Sequence, residues 1–359
     1  MAYLLGLGKS LPPVAMSQSD AVHHALSIAP SSKKETNAIP VLYRRSGVKS
    51  RGLVLLEKKE GKISLPFFPV AQEKNDRGPS TEERMKQFEL TVPHLAIEAS
   101  QKALKNAKTS PARICHLVTV SCTGFSAPGF DVELIKKLKL APDLSRTQIG
   151  FMGCHGAING FRAARALALA HPGELVLLCA AEISSVHYAY GRKSDHLVAN
   201  SLFADGAGAA VISDTGASQS WKILAAGSNI FPDSEKMMTW RIGNHGFEMG
   251  LSPRLPQLIR DNLKPWLSQW LSAQGFRIED IRSWAVHPGG PRVLNAVQTS
   301  LGLPDNALSV SRQILAEFGN MSSATIFSII ERFYQNPDPL PCLALAFGPG
   351  LAAEVVLFG

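Results

Sequence analysis

Short apolar runs alternate along the chain with longer segments of helical periodicity. Tyr3–Leu7, Leu117–Ser121, Leu175–Ala180, Gly208–Ser213, Ser283–Val286, Leu343–Phe347 and Ala353–Phe358 are brief and strongly apolar, which predicts buried strands. Between them, Glu82–Ala107, Asp131–Leu138, Gly156–Ala170, Leu255–Ala273, Arg292–Leu301 and Ser323–Tyr334 have the apolar spacing of helices. In the first of these Met85, Phe88, Val92, Leu95, Ala99 and Ala103 form the apolar stripe, and Pro93 is expected to kink it. The alternation predicts an α/β fold with helices on the faces of buried sheets. The polar stretch Asp214–Ser220 separates residues 1–213 from residues 221–359, with no sequence repeat visible across it.

At 359 residues the chain has room for roughly two domains of about 150 residues each. Hydrophobic residues make up 45%, which excludes a disordered chain. The five cysteines include no Cys-x-x-Cys pair, so neither a disulfide framework nor a structural zinc site is expected. The formal charge of +8 suits an anionic partner: nucleic acid, a membrane surface or a phosphorylated small molecule. No run of 18 apolar residues exists, and no basic segment precedes the apolar start, so neither a membrane span nor a signal peptide is expected and the chain reads as cytoplasmic. Zinc-finger spacing, ribonucleoprotein-type aromatic motifs and basic-region helices are missing, which argues against nucleic acid. The histidines have no convincing ligand spacing, so no metal is expected; His23 and His24 read as a solvent-exposed pair on a helix.

Three segments can carry chemistry. Cys154, in GCHGAING, sits where an apolar segment passes into an Ala-rich helix, and the positive end of that helix would favour a thiolate. A lone buried cysteine is more often packing. His287 ends an apolar strand before Pro-Gly-Gly-Pro, a suitable place for a general base, although a single histidine is as often structural. Asn320, in GNMSSA, taken alone reads as a helix cap. Together, a thiol, an imidazole and an amide donor at the ends of elements form an acyl-transfer constellation. The FGPG loop, with Gly348, Pro349 and Gly350, lets backbone approach a ligand closely.

These segments carry a family resemblance. VSCTGFSAPGFD (120–131), GCHGAING (153–160), SLFADGAGAAVI (201–212), WAVHPGGP (284–291), EFGNMSSA (317–324) and AFGPG (346–350) resemble, in order, the type III polyketide synthases of the chalcone/stilbene synthase family, in bacterial form. The resemblance implies a five-layered αβαβα thiolase-like fold with two similar halves, the first carrying Cys154 and the second His287 and Asn320. It implies that Cys154 holds the starter acyl group and growing chain as a thioester. His287 would support the thiolate, and with Asn320 would stabilise the enolate that malonyl-CoA forms on losing carbon dioxide. Phe203 and Phe247 match the two gatekeeper aromatics, and Ser322 a serine near the nucleophile. His187 stands where plant chalcone synthases carry a cavity-shaping Thr, so plant starter rules do not transfer. Arg44, Arg45, Lys49 and Arg51, with Gly289 and Arg292, would bind coenzyme A. His155 is expected to point away from the nucleophile, and Cys115, Cys122, Cys179 and Cys342 read as packing thiols. The implied partners are an acyl-CoA starter, malonyl-CoA and a second copy of the chain, with no cofactor beyond coenzyme A thioesters.

Two alternatives stay open at this stage. A ketoacyl-ACP synthase III uses the same residue types for a single condensation, but usually places Gln-Ala-Asn after its His where this chain has Pro288-Gly289-Gly290. A non-catalytic acyl-CoA-binding protein would tolerate loss of a catalytic residue, and here all three are present. A hydroxymethylglutaryl-CoA synthase fits less well around His287 and Asn320.

Overall fold

The computed structural model describes residues 1–29, 32–73, 75–190, 193–217, 219–336 and 339–359. The first half runs β1 (Ala2–Ser10), β2 (Ala15–Ser17), α1 (Gln18–Ser27), α2 (Lys33–Arg45), β3 (Ser50–Gly52), β4 (Glu57–Lys59), β5 (Lys62–Ser64), α3 (Thr81–Asn106), β6 (Ile114–Ser121), α4 (Phe130–Leu138), β7 (Ser145–Gly150), α5 (Gly156–Ala170), β8 (Leu175–Ile183), α6 (Ser194–Leu202) and β9 (Asp205–Ser213). The second runs β10 (Trp221–Ile230), β11 (Met238–Gly243), β12 (Gly246–Leu251), α7 (Leu255–Ala273), β13 (Ser283–Val286), α8 (Pro291–Leu301), α9 (Ser309–Phe318), α10 (Thr325–Tyr334), β14 (Cys342–Gly348) and β15 (Ala352–Phe358).

Among the described residues one sheet has nine strands in the order β13-β14-β15-β10-β1-β9-β8-β6-β7. Its two sides repeat one pattern. β6 and β8 are parallel, followed by antiparallel steps to β9 and then β1. β13 and β14 are parallel, followed by antiparallel steps to β15 and then β10. β1 and β10 meet antiparallel at the centre through Ala2–Ile223, Tyr3–Lys222 and Leu4–Trp221. Three-dimensional pairing thus displays a duplication that the sequence hides.

Strand alternation sorts side chains into layers. On β14, Leu343, Leu345 and Phe347 join α7 and α8 in an outer core, whereas Cys342, Ala344 and Ala346 face a central core with α5 and α10. On β8, Leu177, Cys179 and Ala181 join α3 in the other outer core, and Val176, Leu178 and Ala180 face the centre. Small residues on the central faces bring the sheet onto the middle helices. A Cβ on Gly160 of α5 would lie 2.6 Å from Leu178 and 3.0 Å from Val120. The result is the expected five-layer αβαβα arrangement.

α3 spans Thr81–Asn106 with Pro93 inside it, as expected, its start fixed by a capping box between Ser80 and Glu83. One local expectation changes. β1 continues to Ser10, past the turn read at Gly8-Lys9-Ser10, because β9 pairs with it along that length. No described helix is long and apolar enough to cross a membrane.

Candidate active site

Cys154 lies in a 3-10 turn, Gly153–His155, just ahead of α5. Gly153 has φ +72°, and a Cβ there would meet Pro349 at 2.5 Å. A Cβ on Gly348 would meet the His155 ring at 2.2 Å. The FGPG loop therefore presses on the turn that presents the thiol, and only glycine permits that approach. His155 points into the core and bonds Asn159 through Nδ1 at 2.7 Å.

Asn320 follows α9 and is strapped to Phe203 by backbone. The Asn320 N–H donates to Leu202 O, and the Ala204 N–H donates to Asn320 O, each at 2.9 Å. The Asn320 Oδ1 accepts from the Ser322 N–H at 2.8 Å. That bond assigns the amide orientation and leaves the NH2 to face the Cys154 thiol, which it reaches. The Ser322 hydroxyl also donates to Cys154 Sγ at 3.7 Å. Ser322 has φ +49° and nearby Phe151 has φ +61°, positive values rare for non-glycine residues and found where function constrains the backbone.

His287 follows β13 and is only 2% exposed, yet neither ring nitrogen has a hydrogen-bond partner. A buried imidazole with both nitrogens uncommitted is costly unless something arrives to use them. Burial holds it neutral, with its pKa lowered to about 3; the charge of His155 adds to the shift.

The thiol differs from expectation. Desolvation pushes Cys154 up to about 11, the negative charge of Glu182 works the same way, and hydrogen bonds from Ser322 and Asn320 oppose them. The thiol sits ahead of the helix beside an apolar pocket, and desolvation there opposes the dipole that favoured a thiolate from sequence.

Sequence reasoning missed the floor of this pocket. Glu182, fully buried on β8, accepts from the Cys122 N–H at 3.0 Å, the Thr123 hydroxyl at 2.7 Å and the Ser323 hydroxyl. Cys122 is not only packing: its Sγ lies 3.1 Å from Ser322 Oγ, and it lines the same cavity as Cys154. That cavity, ≈ 420 Å3, also includes Phe203, Ser322, Pro349, Met238, Trp240 and Met249. Trp240 comes from the β11–β12 hairpin, and its indole N–H donates to Cys122 O at 2.8 Å. The Gly243-Asn-His-Gly246 turn between the hairpin's strands was the available sequence signal.

His187 and Phe247 line a second, larger cavity of ≈ 920 Å3, in which Phe203 and Trp240 also take part. The His187 Nε2–H donates to Thr123 O at 2.7 Å and Nδ1 accepts from the Phe247 N–H at 2.9 Å, so one tautomer is fixed. Its ring stacks on Phe247 with centroids 4.2 Å apart. His187 thus holds Phe247 in place.

The basic residues separate. Arg44, Arg45, Lys49 and Arg292 are exposed, and Gly289 is half-buried. Arg51 is a correction to the surface cluster: it is buried, and its Nη1 donates to the carbonyls of Asn200 and Phe203. His24 also departs from expectation, being half-buried and facing the larger cavity, whereas His23 is exposed. Among the described residues His116, His171 and Glu174 lie close enough to suit a metal ion, and His116 Nε2 already meets Glu174 Oε2 at 2.6 Å.

These burials predict acid sensitivity. Desolvation first of all lowers His24 to about 4 and His187 and His287 to about 3. Unfolded histidines titrate near about 6.5, so below that pH the unfolded chain binds protons that the native chain refuses, and stability falls. Asp205, raised to about 6, and Glu182, also raised, bind protons earlier in the native chain and offset part of the loss. His155 and His196 are lowered as well, so five histidines outweigh the two raised acids and the net effect is a loss of stability as pH falls below about 6.5. Scanning fluorimetry should record a falling Tm from pH 6.5 to 4.5; a flat or rising Tm would contradict it.

Comparison with known proteins agrees with this geometry. Residues 1–216 match the family described as "Chalcone and stilbene synthases, N-terminal domain", and residues 222–359 match its C-terminal counterpart. The chain is 33% identical over 376 residues to an alpha-pyrone synthesis polyketide synthase-like protein, Pks18, of Mycobacterium tuberculosis, covering 100% of this chain and 91% of the relative. It is 36% identical over 270 residues to 1,3,6,8-tetrahydroxynaphthalene synthase of Streptomyces peucetius, covering 73% and 72% respectively. The crystal structure of PKS-I from the brown alga Ectocarpus siliculosus superposes with TM-score 0.90 at 28% identity, covering 99% of this chain and 97% of that one.

Proposed function

The chain belongs to the chalcone and stilbene synthase family, the type III polyketide synthases, and from that premise we propose how its own residues run an iterative decarboxylative condensation. The observation that carries the assignment of roles is the meeting of Cys154 with the Asn320 amide and the Ser322 hydroxyl beside an apolar cavity.

Before substrate binds, burial favours a neutral thiol at Cys154 and a neutral imidazole at His287. When a starter acyl-CoA arrives, Cys154 Sγ attacks its thioester carbonyl and His287 takes the thiol proton. Asn320 and Ser322 support the sulfur charge by donation. The tetrahedral intermediate expels coenzyme A, which leaves with that proton. Malonyl-CoA then places its thioester oxygen against the His287 N–H and the Asn320 NH2. The bond to the carboxylate breaks, carbon dioxide departs, and the electron pair passes into an enolate held by those two donors. Neutral imidazole and amide are weak acids, so they stabilise the enolate without protonating its carbon. The enolate attacks the Cys154 thioester and Cys154 leaves as thiolate; that thiolate then attacks the thioester of the extended chain, now on coenzyme A, and the coenzyme A departs and takes up a proton, which reloads Cys154 for the next cycle.

Arg44, Arg45, Lys49 and Arg292, with Gly289, receive the coenzyme A phosphates; exposed Arg and Lys suit that task. Phe203 gates passage to Cys154, and Phe247, with His187 behind it, shapes the far side of the cavity. Release gives a pyrone, resorcinol or related aromatic. The enzyme acts as a cytoplasmic homodimer and needs no cofactor besides its thioester substrates. Incubation with malonyl-CoA and a panel of acyl-CoA starters should release carbon dioxide and add an acyl mass at Cys154. Absence of both with every starter would overturn the proposal.

A further inference from the structure

We propose that the larger cavity receives the far end of the starter acyl group and selects starters that end in a carboxylate. The inference rests on the reading above, since it requires an acyl chain anchored at Cys154.

Ser184, Phe203, Trp240 and Met249 line both cavities and so form the wall between them. On one side lies Cys154 in ≈ 420 Å3; on the other lies ≈ 920 Å3 of further space. Each condensation inserts two carbons next to the sulfur, which pushes the starter end away from Cys154. The far cavity is where that end arrives.

Leu53, Leu65 and Phe68 give this cavity apolar surface for methylene groups. Its polar groups are those of a different ligand. Arg51 is 3% exposed, and its Nε has no hydrogen-bond partner. Ser184 is 7% exposed, with its hydroxyl equally unpartnered. His24 Nε2 and His196 Nδ1 add two more uncommitted atoms on the same walls. The acid that acts on Arg51, Asp205, already accepts from the Val54 N–H, the Ser185 N–H and the Ser185 hydroxyl. Among the described residues Arg51 forms no ion pair; it bonds backbone carbonyls and the Tyr43 side chain, over whose ring it lies.

A buried cation and unpaired donors are costly until an anion or acceptor meets them. A plain alkyl end would displace water from these groups and leave them dry. A terminal carboxylate would accept from Arg51 Nε–H and the Ser184 hydroxyl while its methylenes cross the apolar part of the wall.

Matched starters test this on the wild-type enzyme: hexanoyl-CoA against adipoyl-CoA, octanoyl-CoA against suberoyl-CoA, and decanoyl-CoA against sebacoyl-CoA. At one length or more the carboxylated starter should be favoured about tenfold or better in kcat/KM, the scale of one charge-assisted hydrogen bond. Ser184→Ala and Arg51→Lys should each shrink that preference severalfold. The alkyl partner being used equally well at every length, or the preference surviving both substitutions, would overturn the inference while leaving the synthase reading intact. No condensation and no Cys154 acylation with any starter would instead overturn the reading beneath it. Should Arg51→Lys fail to fold, the wild-type comparison and Ser184→Ala still decide.

Discussion

Replacing Cys154 with Ala should abolish condensation, by about 10^4-fold or more, while leaving malonyl-CoA decarboxylation measurable. The two halves of this expectation come from different residues. Condensation needs a covalent tether, and of the two thiols lining the cavity only Cys154 receives both the Asn320 amide and the Ser322 hydroxyl. The other, Cys122, is held well above the ordinary thiol range by burial first and then by Glu182, so it does not substitute as a nucleophile. Decarboxylation needs only donors for the enolate oxygen, the role proposed for His287 and Asn320. Folding should survive, because Ala removes one sulfur from the edge of a cavity and leaves Gly153, Pro349 and α5 in place. The checks are product formation, carbon dioxide release and intact-protein mass with an acyl-CoA starter. An acyl adduct on Cys154→Ala, or retained product, would remove Cys154 from the role assigned to it.

The parts of this molecule that were legible in the sequence are those whose signal is local. Gly156–Ala170, Leu255–Ala273 and Ser283–Val286 appear with the predicted bounds, because each carries its own apolar period and its own stop. β7 escaped because Ser145-Arg-Thr-Gln148 is polar and exposed at the sheet edge, where burial does not write an apolar pattern. The β11–β12 hairpin escaped because part of it faces cavities and part faces solvent, and its cavity-lining Met238, Thr239, Trp240 and Met249 follow no single period. Cys154, His287 and Asn320 were recognisable through the motifs around them. Glu182 was not, since its partners are distant in the chain, and Ser184 was not, since the cavities it lines are assembled from distant segments. Glu182 meets Cys122 60 positions away and Ser323 141 positions away. The thiol's environment was misjudged for the same reason: a helix start is visible locally, but the desolvation that opposes it comes from the fold.

Asn320→Asp should suppress malonyl-CoA decarboxylation about 10^2- to 10^3-fold, the loss typical of removing one oxyanion donor. The geometry makes this substitution more informative than a truncation. The Asn320 Oδ1 is committed to the Ser322 N–H at 2.8 Å, so the amide cannot turn to present oxygen to the site without losing that bond. In aspartate the same contact would hold one carboxylate oxygen and aim the other where the NH2 stood. That oxygen accepts where donation is needed, and its charge opposes both the enolate and the Cys154 thiolate. Starter acylation should therefore slow as well, but less, because Ser322 still donates to the sulfur. Backbone position is not at issue: the bridge to Phe203 uses main-chain groups and persists with any side chain. His287→Ala should lower decarboxylation by a similar factor, and the double variant should lose much less than the product of the two, because both donors serve one oxygen. Single-turnover acylation by mass spectrometry and steady-state carbon dioxide release separate the two steps. If Asn320→Asp decarboxylates at the wild-type rate, the enolate is held elsewhere and the amide serves only the sulfur.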